Sequence, residues 1–359
     1  MENTMKIIHT SDLHLESSMA KLTPQKAKER RLELVDTFHR MVREASSIGC
    51  EVFIIAGDLF DNDRYSRRAA DKVASIIESY PEITFLYLIG NHESASFSER
   101  VTELPKNLKI FGDDWTYFDF GEVTFAGRTT MPPDMFSSLR LDEGRKNIVV
   151  LHGAVKESVG DSEGISLPDA RARGINYLAL GHYHSYTKYE IDRRGVAVYS
   201  GVPEGRGFDE AGECGFVLIN TDGDEITHRF CPFAKRAIRI IEVDLTDMET
   251  PREVDMAIED ALAPVSSNDI VRLSLTGRRA PTLYPNLDGA AMRYRERFYY
   301  FEAEDESKTR INPEDYRYDK SIEGEFIRLV YSKEDLTDEE KEQIIRCGIA
   351  AMLGDRSGI

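Results

Sequence analysis

The sequence has few of the features that identify secreted, membrane or structural-zinc proteins. Its 359 residues include four cysteines, Cys50, Cys214, Cys231 and Cys347, and no two of them form a Cys-x-x-Cys pair. This spacing predicts free thiols and argues against a disulfide framework or a cysteine-ligated zinc site. No apolar run is long enough to span a membrane. We therefore expect a cytoplasmic protein that makes no membrane contact.

Positive charge is also scarce. The 64 acidic residues outnumber the 46 basic ones, which gives a formal net charge of −18. Residues 1–235 contain 37 acidic and 28 basic side chains, and residues 236–359 contain the remaining 27 and 18. Neither part has the basic excess that is typical of nucleic-acid-binding domains, so composition gives no signal for DNA.

What the sequence does have is five short polar motifs, each placed directly after an apolar run. Such runs predict strands that are buried on both faces of a helix-covered sheet. Loops at the carboxyl ends of these strands converge on one crevice, so motifs far apart in the sequence can meet there. The motifs are Asp12-Leu13-His14, Gly57-Asp58, Gly90-Asn91-His92, Leu151-His152-Gly153 and Gly181-His182-Tyr183-His184.

Together the motifs supply two Asp, one Asn and five His side chains, a set that suits two neighbouring metal ions. Taken singly, each has a simpler interpretation, such as a turn with a surface histidine or a histidine hydrogen-bonded in the core. Their occurrence together at successive strand ends favours the metal interpretation. His9, His39 and His228 lie outside the motifs, and we assign them no function.

The motifs resemble those of the calcineurin-like metallophosphoesterase superfamily, which are D-x-H, G-D-x-x-D, G-N-H-[DE] and G-H-x-H. More narrowly, the stretches IHTSDLHL (residues 8–15), AGDLFD (56–61) and YSGVPEGR (199–206) are similar to SbcD-type DNA repair exonucleases. These enzymes are the nuclease subunits that work with SMC-like ATPases at DNA ends. The resemblance implies a metal-dependent DNA nuclease with exonuclease or endonuclease activity, and a homodimer or an SMC-like ATPase as further partners.

Carried over position by position, the resemblance implies two divalent metal ions. The residues Asp12, His14, Asp58 and His184 would hold one ion, and Asp58, Asn91, His152 and His182 the other. Asp58 would bridge the pair, while His92 would face the scissile phosphate without binding metal. The mixed nitrogen and oxygen ligands favour Mn²⁺, with Fe²⁺ or Zn²⁺ as alternatives. Arg64 and Arg206 are the candidates for substrate binding, because both are close in sequence to the motifs.

One departure from the nuclease pattern is Glu93, where an Asp is more usual. The form G-N-H-E occurs in Ser/Thr protein phosphatases, but Ser11 and the pair Asn62-Asp63 do not fit that family. We expect the Glu93 carboxylate to orient His92, a role that either acid can fill. Two further functions remain open: a small-molecule or cyclic-nucleotide phosphodiesterase, which shares all the motifs, and a scaffold that no longer hydrolyses its ligand.

The predicted fold is an α/β sandwich of two sheets flanked by helices, followed by a small α+β capping domain. Residues 1–235 should form the catalytic domain, with long helices at 24–48 and 66–80. Residues 236–310 read as a β-α-β-β module that positions DNA, with a helix from 251 to 262. Residues 311–359 should be a C-terminal helical segment, with a capping box at Thr337 and a last helix that runs to about Leu353.

Overall fold

The computed structural model describes residues 5–19, 22–62, 65–93, 97–156, 164–223, 225–279, 283–310 and 313–352. It divides into two compact units, Met1–Ile238 and Arg239–Ile359. The first unit is a mixed α/β structure with two multi-strand sheets flanked by helices, which confirms the predicted fold class. No helix in the described residues combines the length and apolar character needed to cross a bilayer.

The strands of the first unit account for both of its sheets. In chain order they are β1 (Lys6–Thr10), β2 (Val52–Ala56), β3 (Thr84–Leu88), β4 (Leu108–Ile110), β5 (Thr116–Phe120), β6 (Val123–Gly127), β7 (Lys146–His152), β8 (Tyr177–Gly181), β9 (Thr187–Glu190), β10 (Val196–Tyr199), β11 (Gly215–Asn220) and β12 (Thr227–Pro232). The first sheet has the order β12-β11-β1-β2-β3-β4, and the second has the order β5-β6-β7-β8-β10-β9.

Parallel pairing brings the functional strand ends to common edges. Strands β1, β2 and β3 pair in parallel, so their carboxyl ends lie at one edge of the first sheet. Strands β7 and β8 also pair in parallel, with His152 opposite Gly181. The two sheets pack face to face, and alternate residues such as Val52 and Ile54 from the first contact Ile148 and Val150 from the second.

Helices cover the outer face of each sheet. On the first sheet they are α1 (Pro24–Ser47), α2 (Arg67–Glu78) and α3 (Phe97–Arg100), and on the second α4 (Met135–Ser138) and α5 (Leu167–Ala170). The Thr23 side chain caps α1 and Pro24 occupies its first turn, while the Ser66 side chain caps α2. Apolar side chains of α1 and α2 pack on Phe53 and Ile55, the outward-facing residues of β2. Both long helices lie within a few residues of their predicted bounds.

Strand β13 (Ile238–Asp244) starts at the last residue of the first unit and continues into the second. The second unit also contains α6 (Pro251–Leu262), β14 (Ile270–Thr276), β15 (Arg278–Arg279), α7 (Leu287–Tyr294), β16 (Tyr300–Asp305), β17 (Lys308–Thr309), α8 (Ile322–Tyr331) and α9 (Asp338–Met352). Helix α6 has the predicted bounds, and Thr250 and Glu253 form a capping box at its start. The predicted β-α-β-β order was wrong in one respect, because α7 lies between β14 and β16. These two strands pair in parallel, which requires a crossover connection such as a helix.

The last helix begins with the predicted capping box, since Thr337 and Glu340 exchange backbone-to-side-chain hydrogen bonds. Its predicted end at Leu353 lies outside the described residues. Ile345 is fully buried against Ile327 and Val330 of α8, so this helix packs on its own chain. Ile344 is 39% exposed and does not belong to that cluster.

Candidate metal centre

The structure brings the donor side chains of all five motifs to one place. Asp12 and His14 follow β1, Asp58 follows β2, and Asn91 follows β3. The second sheet contributes His152 as the last residue of β7, and His182 and His184 just after β8. Backbone amides link the loops, because the amide of His182 donates to the Asp12 carboxylate at 3.0 Å and that of His92 donates to Asp58 Oδ1 at 3.1 Å.

The donor atoms form two overlapping groups. Asp12, His14 and His184 make one group and Asp12, Asp58 and His152 make the other, with all ligand atoms of a group within 4.8 Å of one another. In the first group, His14 Nε2 lies 3.3 Å from His184 Nε2. In the second, His152 Nε2 lies 3.3 Å from Asp58 Oδ2.

Asn91 and His182 extend the second group. Asn91 Oδ1 lies 2.8 Å from His152 Nε2 and 3.2 Å from His182 Nδ1. Asp58 Oδ2 also lies 3.8 Å from His14 Nε2, so one carboxylate oxygen is near a histidine of each group. This position fits the predicted bridging role, although that role and the ligand sets stay predictions.

The hydrogen bonds of the histidines fit a bound cation. His152 Nδ1 donates to the Ala56 carbonyl at 2.9 Å, which leaves a lone pair on Nε2 facing the oxygens of Asp58 and Asn91. His184 Nδ1 lies 2.9 Å from Glu210 Oε1, which likewise leaves its Nε2 as an acceptor. Acceptors that face one another are favourable only with positive charge between them, and these are the atoms that bind metals.

The ionisation of the cluster points the same way. Burial alone would raise the pKa of Asp58, but the hydrogen bond and charge of His152, the amide of His92 and the charge of His14 outweigh it and lower that pKa to about 2. Burial lowers the pKa of His152, yet its contacts with Asp58 and Asp12 raise it more, so the net shift is upward. Asp58 is therefore charged at neutral pH, and its surroundings attract positive charge.

Strained backbone conformations coincide with the donor residues. Asp12, His14, Asp58 and His182 have φ angles of 52°, 43°, 51° and 105°, in a region that residues with a Cβ seldom adopt. Gly57 has a φ of 91°, and a Cβ there would collide with the His152 ring. The glycine thus allows the close approach of β2 and β7 that the cluster requires.

His92 lies beside the two groups and outside them. Its Nδ1 lies 3.1 Å from the Asp61 carbonyl oxygen, and its Nε2 lies 4.0 Å from Asp58 Oδ2. The side chain is 48% exposed, whereas those of His14 and His152 are buried. A histidine held at the open side of the cluster can reach a group on a bound substrate.

The expected contact between Glu93 and His92 was wrong. The buried Glu93 carboxylate accepts hydrogen bonds from the Tyr87 hydroxyl at 2.6 Å and the Phe60 amide at 3.0 Å. Burial raises the pKa of Glu93 to about 7. Glu93 thus fastens the end of β3 to the loop after β2, and the Asp61 carbonyl takes the place next to His92.

The two arginines predicted to bind substrate have different outcomes. Arg64 lies outside the described residues. The Arg206 guanidinium donates to Asp61 Oδ1 at 2.8 Å and to the Glu210 carboxylate, and its side chain is only 16% exposed. A substrate role for Arg206 stays a prediction, but its charge is already engaged by two acids.

Glu210 is a residue of the site that no sequence motif indicates, and it contacts both His184 and Arg206. Burial alone would raise the pKa of Glu210, but its bonds with His184 and Arg206 lower it to about 2. Only its spacing of four residues from Arg206 hints at a contact, and that spacing is common on any chain.

Comparison with known proteins adds three relatives and a family. A family model described as calcineurin-like phosphoesterase matches residues 5–186. The "uncharacterized metallophosphoesterase YhaO" of Bacillus subtilis is 24% identical over 85% of this chain and 80% of its own length. Proteins named "DNA double-strand break repair protein Mre11" are 26% identical over 67% of this chain in Methanopyrus kandleri and 27% identical over 61% in Sulfurisphaera tokodaii. The alignments span only 59% and 60% of these two archaeal proteins.

Proposed function

The chain belongs to the calcineurin-like phosphoesterase family, and from this membership we propose that it is a metal-dependent nuclease that processes DNA ends in repair. The family supports a phosphoester hydrolase that uses divalent metals. The DNA substrate rests on two further points, the archaeal relatives that carry the name of a double-strand break repair protein and the SbcD-like stretches of the sequence.

The observation that carries the proposal is the position of Asp58. Its Oδ2 lies 3.3 Å from His152 Nε2 and 3.8 Å from His14 Nε2, between two groups of converging donor atoms. A single carboxylate oxygen has two lone pairs, so Oδ2 could bind two cations at once and bridge them. Such an arrangement suits two divalent ions a few Å apart, and the nitrogen and oxygen donors favour Mn²⁺.

The side chains divide the work between holding ions and moving a proton. Asp12, His14, Asp58 and His184 would hold one ion, and Asp58, Asn91, His152 and His182 the other. Two such ions supply hydroxide at neutral pH and offset the charge of a phosphate. His92 Nδ1 donates to the Asp61 carbonyl, so only the imidazolium form of the ring would carry a proton on Nε2 as well; in that form His92 would stabilise the leaving oxygen or protonate it.

A small phosphodiester, such as a cyclic nucleotide, is the second candidate substrate. The net charge of −18 and the pairing of Arg206 with two acids favour it, because long DNA is usually bound by free basic side chains. An SMC-like ATPase partner and a homodimer remain proposals from the resemblance. Such a partner would supply the DNA affinity that the acidic composition does not predict.

The test uses the purified full-length chain with Mn²⁺ and four substrates: end-labelled linear duplex DNA, circular single-stranded DNA, a cyclic nucleotide and bis-p-nitrophenyl phosphate. DNA cleavage that EDTA stops and Mn²⁺ restores is the expected result. Hydrolysis of the cyclic nucleotide and the small ester with intact DNA would overturn the nuclease proposal and retain the phosphodiesterase. Mn²⁺ binding without hydrolysis of any substrate would favour the scaffold.

A further inference from the structure

Five side chains form a connected series of contacts that includes both histidines of the first donor group. His14 Nδ1 lies 3.4 Å from Asp61 Oδ1, and Asp61 Oδ1 accepts a hydrogen bond from Arg206 at 2.8 Å. Arg206 in turn donates to the Glu210 carboxylate, whose Oε1 lies 2.9 Å from His184 Nδ1. The outer nitrogens of both histidines thus face carboxylates, and one guanidinium links these two carboxylates.

The contacts among these five residues orient the His14 and His184 rings so that their inner edges face each other. With Nδ1 directed outward, His14 and His184 present their Nε2 atoms to each other at 3.3 Å. A carboxylate that accepts a hydrogen bond from the outer nitrogen, as Glu210 does from His184, fixes the ring orientation and makes the inner nitrogen a stronger ligand. His14 Nδ1 makes no hydrogen bond within the described residues, so Asp61 acts on His14 through its charge. Arg206 keeps both acids in place and balances their charge inside a nearly buried pocket.

The second donor group has weaker support in the described residues. His152 Nδ1 donates to the backbone carbonyl of Ala56, a neutral acceptor. The Nδ1 of His182 faces Asn91 Oδ1, and Asn91 is itself a proposed ligand. Within the described residues, no carboxylate makes a hydrogen bond to the His182 ring. His152 therefore differs from His14 and His184 in the charge of its outer partner.

The segment that carries Arg206 and Glu210 is itself anchored by buried charges. Glu204 Oε1 accepts two hydrogen bonds from Arg30 of α1 at 3.0 Å, and Glu204 Oε2 accepts one from Thr37 at 2.9 Å. Arg30 also donates to the Gly205 carbonyl at 2.7 Å. Helix α1 thereby fixes the start of this segment. The contacts of Arg206 with Asp61 and Glu210 depend on the path that the segment takes.

We propose that Asp61, Arg206 and Glu210 act as positioning residues that make the site of Asp12, His14 and His184 the tighter of two unequal metal sites. The inference rests on the proposed metal-dependent function and deepens it. The second site, supported by a backbone carbonyl, exchanges its ion more readily. Ligand strength and ring orientation set the difference, because both sites share Asp58 and similar donor types.

Calorimetric titration of the metal-free full-length chain with Mn²⁺ tests the proposal. The wild-type protein should bind two ions in a tight and a weak step. Glu210→Gln keeps the shape of the side chain and removes its charge, so it should weaken the tight step by about 10–100-fold and leave the weak step unchanged. Glu190→Gln is the matched control: Glu190 is an exposed carboxylate paired with Lys188, and both steps should persist in that variant.

A second pair of variants assigns the steps and guards against misfolding. His152→Ala should remove the weak step and keep the tight one; loss of the tight step instead would overturn the assignment. Asp61→Asn changes a partly exposed side chain and should weaken the tight step through His14. If a melting curve of the metal-free protein shows that the Glu210→Gln variant is unfolded, the titration of Asp61→Asn decides the outcome.

The failure of this proposal can be told apart from failure of the proposed function. If wild-type protein binds two Mn²⁺ ions and the folded variants bind them equally well, the positioning role alone is overturned. If wild-type protein binds no divalent metal at all, both the positioning role and the metal-dependent function are overturned. If the tight step weakens while DNA remains uncleaved by the wild type, the positioning role stands and only the nuclease substrate fails.

Discussion

His14 Nε2 and His184 Nε2 lie 3.3 Å apart, although 170 residues separate them in the sequence. Their rings come from different sheets, one from the loop after β1 and the other from the loop after β8. Two imidazole nitrogens at this distance repel each other if both are unprotonated acceptors. The contact therefore indicates a place for positive charge between the two sheets.

His92→Ala should abolish phosphodiester cleavage and leave two metal ions bound. His92 lies outside both donor groups, and its exposed ring faces the open side of the cluster. Metal content by mass spectrometry, measured beside a nuclease assay, checks the prediction. His39→Ala, a change on α1 next to Tyr80, is the control and should alter neither result. Loss of metal in the His92 variant would refute its assignment to the substrate.

Asp58→Asn should lower the occupancy of both metal sites. The Asp58 carboxylate lies near a histidine of each group, and its low pKa means that it is charged at neutral pH. An amide keeps the shape and loses the charge, so two sites weaken at once. The measurement is metal stoichiometry after dialysis against buffer without metal. Full occupancy in the variant would show that Asp58 does not bridge.

Gly57→Ala should weaken metal binding, and the loss of affinity should exceed what the strained backbone alone would cause. Gly57 and Gly49 both have positive φ angles, 91° and 69°, so an added Cβ strains the backbone at either position by about 1–2 kcal/mol. At Gly57 the Cβ also collides with the His152 ring, whereas at Gly49 it meets no atom within 4 Å. Gly49→Ala is thus the matched control and should lose stability without losing metal. Equal metal affinity in the two variants contradicts the prediction.

Stability of the metal-free protein should fall with acidification in a range set by His9. Burial lowers the pKa of His9 from 6.5 to about 3, so between these pH values the unfolded chain binds a proton that the native state does not. The stability is therefore present above pH 6.5 and decreases as pH falls toward 3, by up to about 1.4 kcal/mol per unit.

His9→Gln isolates this contribution, because glutamine does not titrate and can still hydrogen-bond the Tyr177 hydroxyl, which lies 3.0 Å from His9 Nδ1. Urea unfolding at several pH values between 5 and 7.5 should show a shallower slope in the variant than in the wild type. Identical slopes would mean that His9 does not titrate on unfolding in this range.

Ile345→Ala should destabilise the second unit, by about 2–5 kcal/mol as for other buried large-to-small changes. Ile345 is fully buried between α9 and α8, where it contacts Ile327 and Val330. Ile344→Ala, at the adjacent and partly exposed position, is the control and should cost much less. A melting temperature that falls equally in both variants would mean that α9 does not pack on α8 in this register.

Much of the first unit could be predicted from the sequence because the patterns that indicate its strands and helices are local. The apolar runs predicted β2 and β7, and the two long helices were predicted within a few residues of their bounds. Helix α7 was missed because its short run, capped by Asn286, has only Ala290 and Tyr294 as buried residues. When the periodic pattern is this weak, only packing against the rest of the unit decides whether the segment forms a helix.

The candidate site was predictable to the extent that its chemistry sits in short motifs. Asp58 and Asn91 could be named because each lies within three residues of the end of a strand. Glu210 could not, because its contact with His184 depends on the path of a loop and no local pattern encodes it. The mistaken partner of Glu93 has the same origin: the sequence showed a carboxylate next to His92, and only the fold shows that it points toward Tyr87.

The two sheets contribute different kinds of ligand. All the oxygen donors, Asp12, Asp58 and Asn91, follow strands of the first sheet, whereas three of the four histidine donors follow strands of the second. The thickness of the apolar layer between the sheets therefore sets the distance between oxygen and nitrogen donors. A larger side chain at Ala56 or Ala179 would move the sheets apart and weaken both metal sites without contacting any ligand side chain. The packing between the sheets therefore sets the dimensions of the metal centre.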